Sequence, residues 1–160
     1  MNAIHIQLVL AQLQIPNIYD PSDVELIPIA IRIGSMVGRY YKYIDVIPVT
    51  NLEALKKALH SSAFIAIYLS HGTPTGIMVG GREVSWPDLA SIIRRSNVRH
   101  HVVESCFSSN LKRYGLSDER VLTVNSAVDV EVGFYDAMCK TISFVKRDTY
   151  VEARIASKLL

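Results

Sequence analysis

The sequence predicts an α/β protein, a three-layer sandwich of about five mainly parallel strands with a small β-hairpin insert. Short, almost continuous apolar segments alternate with segments of helical composition, and such alternation produces parallel strands joined by right-handed crossovers. The apolar segments lack polar alternation, which is typical of strands covered by helices on both faces. The length suits one hydrophobic core, so we expect residues 1–160 to form a single domain.

The strands are assigned to five apolar segments. They occupy residues 4–12, 44–50, 63–69, 100–106 and 120–127. Between the third and fourth segments, Gly80-Gly81 separates "IMV" from "REV". Two glycines at this position predict a two-residue hairpin turn.

The helices are assigned from capping residues and composition. Ser22, with Glu25 three residues later, forms a capping box for a helix towards Tyr43. Asn51 and Ser85 are N-cap candidates for helices over 52–62 and 86–96. Two further helices, over 134–145 and 148–159, close the chain, and the polar segment 107–119 is interpreted as a loop.

Composition excludes several classes of function. A net charge of +2 is too small to indicate binding to nucleic acid or to a membrane surface. No apolar segment reaches the roughly 18 residues of a membrane span, and the opening "MNAIHIQLVLAQLQIP" does not resemble a signal peptide. Two cysteines do not make a disulfide framework. We therefore expect a cytoplasmic protein without cofactors.

Two chemically active residues end neighbouring strands in the sequence. His71 follows the third apolar segment and Cys106 ends the fourth. Adjacent parallel strands lie about 4.8 Å apart, so the two side chains would face one cleft. A thiol beside an imidazole suits nucleophilic catalysis. The backbone N–H groups of Gly72 and Cys106 would then stabilise an oxyanion.

Each residue alone has a simpler interpretation. A cysteine after an apolar strand is usually a small core residue, and a histidine at a strand end is usually a surface group. The combination of His-Gly at one strand end with Ser-Cys at the next favours catalysis.

These segments resemble the cysteine peptidases that include caspases, metacaspases, legumain and gingipains. The similarity lies in "IAIYLSHG", "GIMVGGREVSWPDL" and "HVVESCFSS". "SHG" is similar to the caspase form, whereas "ESCFS" resembles the legumain and metacaspase form. The caspase pattern Gln-Ala-Cys-x-Gly is absent. "VLTVNSA" and "GFYDAMCKTISFV" resemble the fifth strand of these enzymes and the helix after it.

The resemblance implies a caspase-like fold and a cysteine endopeptidase. Cys106 would be the nucleophile, His71 would protonate the leaving amine, and the amides of Gly72 and Cys106 would hold the oxyanion. Glu104, two residues before the nucleophile, would line the pocket for the residue before the scissile bond, and Ser126 and Asp129 would contribute to substrate binding. The spacing from Ser126 to Asp129 is one residue shorter than in metacaspases.

Two carboxylates in such a pocket favour cleavage after Arg or Lys. Asn is the second choice by the legumain likeness, and Asp is disfavoured by repulsion. Asp129 and Glu131 are equally well interpreted as solvated loop charges. The partner would be a peptide or protein substrate, and the pair Lys112-Arg113 is either a self-cleavage point or, more simply, a solvated loop pair.

The chain also departs from the caspase pattern. The connection 127–133 is shorter than in caspases, and no sixth strand follows the closing helices. We therefore expect a monomer, or a dimer unlike that of caspases. Two alternatives stay open: a non-catalytic caspase-like domain that binds peptide by strand addition, and a flavodoxin-like domain that binds a small ligand. His100-His101 suggests no metal site, because adjacent residues of a strand point to opposite faces.

Overall fold

The computed structural model describes residues 5–10, 43–125, 136, 137, 139–141, 143 and 144, with backbone alone at 5–10, 43–46 and 48. The elements, in chain order, are β1 (His5–Leu10), β2 (Tyr43–Pro48), α1 (Leu52–Ala58), β3 (Ile65–Leu69), β4 (Gly76–Val79), β5 (Arg82–Ser85), α2 (Trp86–Arg95), β6 (His100–Glu104), a 3₁₀ helix (Ser108–Tyr114) and β7 (Val121–Leu122). Residues 136, 137, 139–141, 143 and 144 are helical.

The described strands form one parallel sheet and one small antiparallel hairpin. The sheet has the order β2-β1-β3-β6-β7, and each of its pairings is parallel. β4 and β5 pair antiparallel outside this sheet. The mixed α/β class, the parallel pairing and the hairpin insert predicted from the sequence are therefore confirmed.

β3 and β6 form the buried centre of the sheet. All five residues of each strand are buried, which explains why their sequences lack polar alternation. Helices pack on one face of these strands through a continuous apolar cluster. It joins Ala66, Tyr68 and Val103 of the sheet to Leu55, Leu59, Leu89 and Ile93 of the helices.

α2 covers this face because its apolar residues recur at helical spacing. Trp86, Leu89, Ala90 and Ile93 are its buried residues, and they occupy the i, i+3, i+4 and i+7 positions of one helix face. We refer to the face covered by α1 and α2 as the first face of the sheet.

A buried polar contact ties β3 to β6 on the first face. The Tyr68 hydroxyl lies 2.7 Å from His101 Nδ1, and His101 Nε2 lies 3.1 Å from the carbonyl oxygen of Val98. Because a carbonyl only accepts, Nε2 carries the proton and Nδ1 accepts from Tyr68. Burial, together with the nearby Arg120 cation, lowers the pKa of His101 to about 3, so this histidine is a neutral structural group.

The helical residues near the end of the chain pack against the opposite face, the second face of the sheet. The ring of Phe144 stacks on His100 with centroids 4.3 Å apart. His100 and His101 thus point to opposite faces, as the strand period requires. Helical residues therefore contact both faces of the sheet.

The hairpin turn lies at the two glycines that predicted it. Gly80 and Gly81 have φ values of 56° and 84°, which L-residues with a side chain rarely adopt. A Cβ on Gly80 would also lie 1.7 Å from the carbonyl oxygen of Thr50. Because Gly80 has no side chain, the turn can pack against Thr50, in the segment after β2.

Several predicted boundaries differ from the structure. Residues 108–114 form a 3₁₀ helix rather than a loop, β6 ends at Glu104 before the cysteine, and β7 contains only Val121 and Leu122. The helix predicted from Ser22 and the second closing helix lie outside the described residues. No helix in the described part of the chain has the length and apolar character needed to cross a membrane.

Candidate active site

The carboxyl ends of β3 and β6 lie side by side. The last register pair joins Leu69 to Glu104, and His71 and Cys106 each follow two residues after this pair. A Cβ built on Gly72 would lie 2.0 Å from the carbonyl oxygen of Cys106 and 2.4 Å from Ser105 Oγ. Only a residue without a side chain fits there. The structure thus brings the His71-Gly72 and Ser105-Cys106 segments together.

The hairpin fixes the backbone of the first segment. The N–H of Met78 donates to the carbonyl of His71 at 2.9 Å, and the N–H of Thr73 donates to the carbonyl of Gly76 at 2.8 Å. These bonds flank the bridge between Gly72 and Ile77, and neither uses the amide of Gly72. This amide is one of the two oxyanion donors expected from the sequence.

The second segment turns sharply at the cysteine. Phe107, directly after Cys106, has φ 61° and is the only non-glycine residue with positive φ in the described ranges. This conformation costs about 1–3 kcal/mol. The chain then enters the 3₁₀ helix, where the N–H of Ser108 donates to the carbonyl of Ser105 at 3.1 Å.

Ser108 holds this turn in place. Its side chain is fully buried, donates to the carbonyl of Val103 at 2.9 Å and accepts from the N–H of Val124 at 2.8 Å. These bonds connect β6, the 3₁₀ helix and the segment after β7. The strained turn at Phe107 is therefore supported by a satisfied polar contact beneath it.

The two candidate catalytic side chains are partly shielded. Cys106 is half-buried and reduced. His71 is also half-buried, and its Nε2 atom is shielded from solvent. Asn110 of the 3₁₀ helix donates through Nδ2 to the carbonyl of Pro74 at 2.9 Å, so the loops that follow the two strands are joined across the site.

Glu104 is a buried carboxyl group at the same end of the sheet. The residue is 8% exposed, both of its carboxyl oxygens are buried, and the polar side chains beside them are Lys140 and Asp136. Burial is the main cause that raises the pKa of Glu104 to about 8, and the nearby Lys140 opposes this rise. Glu104 is therefore mostly protonated at neutral pH.

Lys140 faces Glu104 from the second face. Its Nζ lies 3.7 Å from Glu104 Oε2, which is longer than a hydrogen bond. The same ammonium donates to the carbonyl of Thr123 at 2.9 Å and forms a short ion pair with Asp136. The Glu104 carboxyl therefore lies beside the Lys140 ammonium, whose position is fixed by Thr123 and Asp136.

The structure does not describe all of the site residues that the sequence predicts. Ser126 and Asp129 lie outside the described residues, so their predicted role in substrate binding stays a prediction. Cys139, on the helical segment near the end of the chain, is exposed. Arg113 of the Lys112-Arg113 pair is exposed, whereas Lys112 is half-buried against Asp118.

The contacts of Lys140 and Asp136 with Glu104 were not predicted. Their spacing of four residues on a predicted helix indicates an ion pair, but it does not indicate which strand that pair contacts. Within the described ranges, no group of three or more His, Cys, Asp or Glu side chains is arranged to hold a metal ion.

Neither the family models nor the curated proteins include a match to this chain. No family model matches the chain, and no curated protein matches it significantly in sequence. The chemistry of the site is therefore argued from its own geometry: a thiol on a strained turn, an imidazole on the adjacent strand end, and a buried carboxyl two residues before the thiol.

Proposed function

We propose that this chain is a small cysteine endopeptidase with a caspase-like fold, which hydrolyses peptide bonds through Cys106 and His71. The observation that carries the proposal is the contact of Gly72 with the Cys106 backbone, 2.0 Å from the Cβ position to the carbonyl oxygen. It leaves no space for a side chain between the two segments. Within the parallel sheet, it supports a shared cleft for the thiol and the imidazole.

The proposed reaction has two steps. The Cys106 thiolate attacks the carbonyl carbon of the scissile bond, and the oxyanion accepts hydrogen bonds from the amides of Gly72 and Cys106. His71, as imidazolium, protonates the leaving nitrogen as the C–N bond breaks, which leaves a thioester. His71 then removes a proton from water, which attacks the thioester; collapse of the tetrahedral intermediate breaks the C–S bond, releases the carboxylic acid and regenerates the Cys106 thiolate beside the His71 imidazolium.

Glu104 supports specificity for Arg or Lys before the scissile bond. It lies two residues before the candidate nucleophile, on the strand that leads to it, and a guanidinium presents two parallel donors to a carboxylate. Ionisation of Glu104 on binding would supply the negative charge. Asn remains the second choice, because a protonated carboxyl also hydrogen-bonds an amide.

A covalent probe tests this proposal. We expect a peptide with Arg before an acyloxymethyl ketone warhead to label Cys106, and H71A to lower turnover of the matching fluorogenic substrate at least 100-fold. The measurements use C139S protein, because Cys139 is a second, exposed thiol. A panel of fluorogenic substrates that differ only in the residue before the scissile bond (Arg, Lys, Asn or Asp) measures the order of preference of the pocket.

His60 provides the matched control. It is an exposed histidine just after α1, and H60A should keep wild-type turnover. Labelling without turnover would favour the non-catalytic, peptide-binding member of the fold. Absence of Cys106 labelling by the Arg probe, together with no turnover of any substrate in the panel, would contradict the proposal.

A further inference from the structure

A cavity of about 160 Å³ lies between the last turns of α1 and α2. Its lining includes side chains from both helices and from the residues directly after them: Lys56, Leu59, Ser91, Ile92, Arg95 and Ser96. α1 leads into β3 and α2 leads into β6, so the cavity lies towards the amino ends of these parallel strands. His71 and Cys106 follow their carboxyl ends. The cavity is therefore separate from the candidate active site, and its role does not depend on the proposed function.

Two cations reach this cavity, and neither has a strong partner in the described residues. Arg95 is exposed and forms no hydrogen bond or ion pair within the described part of the chain. Lys56 lies 3.5 Å from Glu53, but the two side chains are 45% and 83% exposed, and such surface pairs contribute little. Among the described residues, no acidic side chain lines the cavity. The electrostatic potential of the cavity is therefore positive.

Cations at the carboxyl end of a helix often serve only to balance its terminal carbonyls. Here, other groups form hydrogen bonds with those carbonyls. The carbonyl of Leu59 accepts from Ser96 Oγ at 2.7 Å and from the N–H of Asn97 at 3.2 Å. The carbonyls of Ile93 and Ser96 accept from the guanidinium of Arg120. The two lining cations thus remain available to a ligand.

An apolar surface lies next to these charges. Leu59 is 1% exposed and Ile92 is half-buried, so together they provide a site for an apolar group. Ser91 lies one turn before Arg95 on α2, where its hydroxyl can donate to an anion that the guanidinium holds. A cavity of about 150 Å³ holds a benzene molecule, so the volume suits a ligand with one aromatic ring.

We propose that this cavity binds a small aryl phosphate, a phosphate monoester that carries one aromatic ring. The guanidinium of Arg95 donates to two phosphate oxygens, and the ammonium of Lys56 provides a second positive charge. Two cations match the charge of a phosphate monoester, which is close to a dianion at neutral pH, better than the single charge of a carboxylate. The ring packs on Leu59 and Ile92, which removes apolar surface from water.

Titration of the whole chain with phenyl phosphate, followed by isothermal titration calorimetry, tests the site. We expect R95Q and K56M each to weaken binding about tenfold, and the methyl NMR signals of Leu59 and Ile92 to shift when the wild type binds. Benzoate and inorganic phosphate should bind less tightly, because benzoate has a single charge and inorganic phosphate has no ring. Both substituted residues are exposed, so the variants should keep the fold, which circular dichroism checks.

Arg94 and Lys57 provide matched controls. Each is exposed and directly adjacent in sequence to one of the lining cations, and neither lines the cavity. Arg94 instead donates to the carbonyl of Tyr114. R94Q and K57M should therefore bind phenyl phosphate as the wild type does, which separates a specific site from a general effect of surface charge.

The proposal is overturned if phenyl phosphate does not bind, if R95Q and K56M bind it as tightly as the wild type, or if the controls lose affinity equally. Equal affinity for benzoate or for inorganic phosphate would also overturn it, because the second charge or the ring would then contribute nothing. Tighter binding of a phosphotyrosine peptide at the same cavity would replace the small ligand by a protein partner. None of these measurements involves turnover, so their outcome is independent of the proposed peptidase activity.

Discussion

Two residues, Gly72 and Phe107, shape the backbone around the candidate thiol. Gly72 allows the end of β3 to touch the backbone of Cys106, and Phe107 adopts the left-handed conformation that turns the chain after it. Unfavourable backbone conformations persist where surrounding contacts enforce them, and they concentrate at functional sites. The hydrogen bonds of Ser108 provide that enforcement here.

Replacement of Gly72 by alanine should damage the site directly. The added methyl group would overlap the carbonyl oxygen of Cys106 at 2.0 Å, and backbone atoms cannot move aside without shifting the turn. We expect a loss of about 1–3 kcal/mol in the free energy of unfolding, measured by urea denaturation. We also expect at least tenfold slower labelling of Cys106 by the Arg probe.

Gly115 provides the control for this substitution. A Cβ there has no atom within 4 Å, but the residue has φ 80°, so G115A should cost about 1–2 kcal/mol through backbone conformation alone. Its labelling rate should stay that of the wild type. A G72A protein that is labelled as fast as G115A would disprove the role of Gly72.

The two helices on the first face, α1 and α2, each begin at a residue whose side chain caps the helix. Asn51 Oδ1 accepts from the N–H of Ala54 at 2.8 Å, and Ser85 Oγ accepts from the N–H of Asp88 at 3.3 Å. Each side chain satisfies one of the amides that a helix start leaves without an intrahelical partner. The capping residues thus set the start of both helices that cover β3 and β6.

Removal of the Asn51 cap should destabilise the protein measurably. We expect N51A to lower the free energy of unfolding by about 1 kcal/mol, as determined by urea denaturation, because the amide of Ala54 loses its acceptor. N51D, which keeps the acceptor, should remain close to the wild type. Equal destabilisation of N51A and N51D would show that this bond does not stabilise α1.

The layers of the molecule meet at Glu104, where β6 contacts the closing helical residues. Burial of this carboxyl between sheet and helix is a property of the assembled layers, since Glu104 is far in sequence from the Asp136-Lys140 pair that it meets. The same packing places Phe144 on His100. The second face therefore combines an aromatic contact with a partly buried polar cluster.

This burial predicts a pH-dependent stability. The folded protein holds the Glu104 proton up to about pH 8, whereas the unfolded chain releases it near the ordinary pKa of 4.5. The folded state binds more protons in this interval, so the free energy of unfolding attributable to Glu104 falls as the pH rises from about 4.5 to 8. Urea denaturation of the wild type and E104Q over this range measures the effect.

The difference in unfolding free energy between the two proteins isolates Glu104 from the other titrating groups. We expect it to change in favour of E104Q as the pH rises, because glutamine carries no proton to lose. A difference that stays constant from pH 4.5 to 8 would contradict the raised pKa.

The sequence determined the elements that depend on local chemistry. Asn51 and Ser85 mark helix starts, Gly80-Gly81 marks the hairpin turn, and the apolar segments mark β3 and β6, because capping, turn conformation and burial on both faces each leave a local pattern. The neighbouring ends of β3 and β6 also followed from the sequence, since consecutive parallel strands usually pair.

Only the tertiary structure decided what surrounds those strand ends. The 3₁₀ helix replaced a predicted loop because Ser108 finds partners on β6 and after β7, which no local pattern reveals. The fit of Gly72 against Cys106 and the position of Lys140 beside Glu104 depend on how strands and helices pack. Contacts between residues far apart in the chain are set by that packing, and the charge of the candidate pocket is set with them.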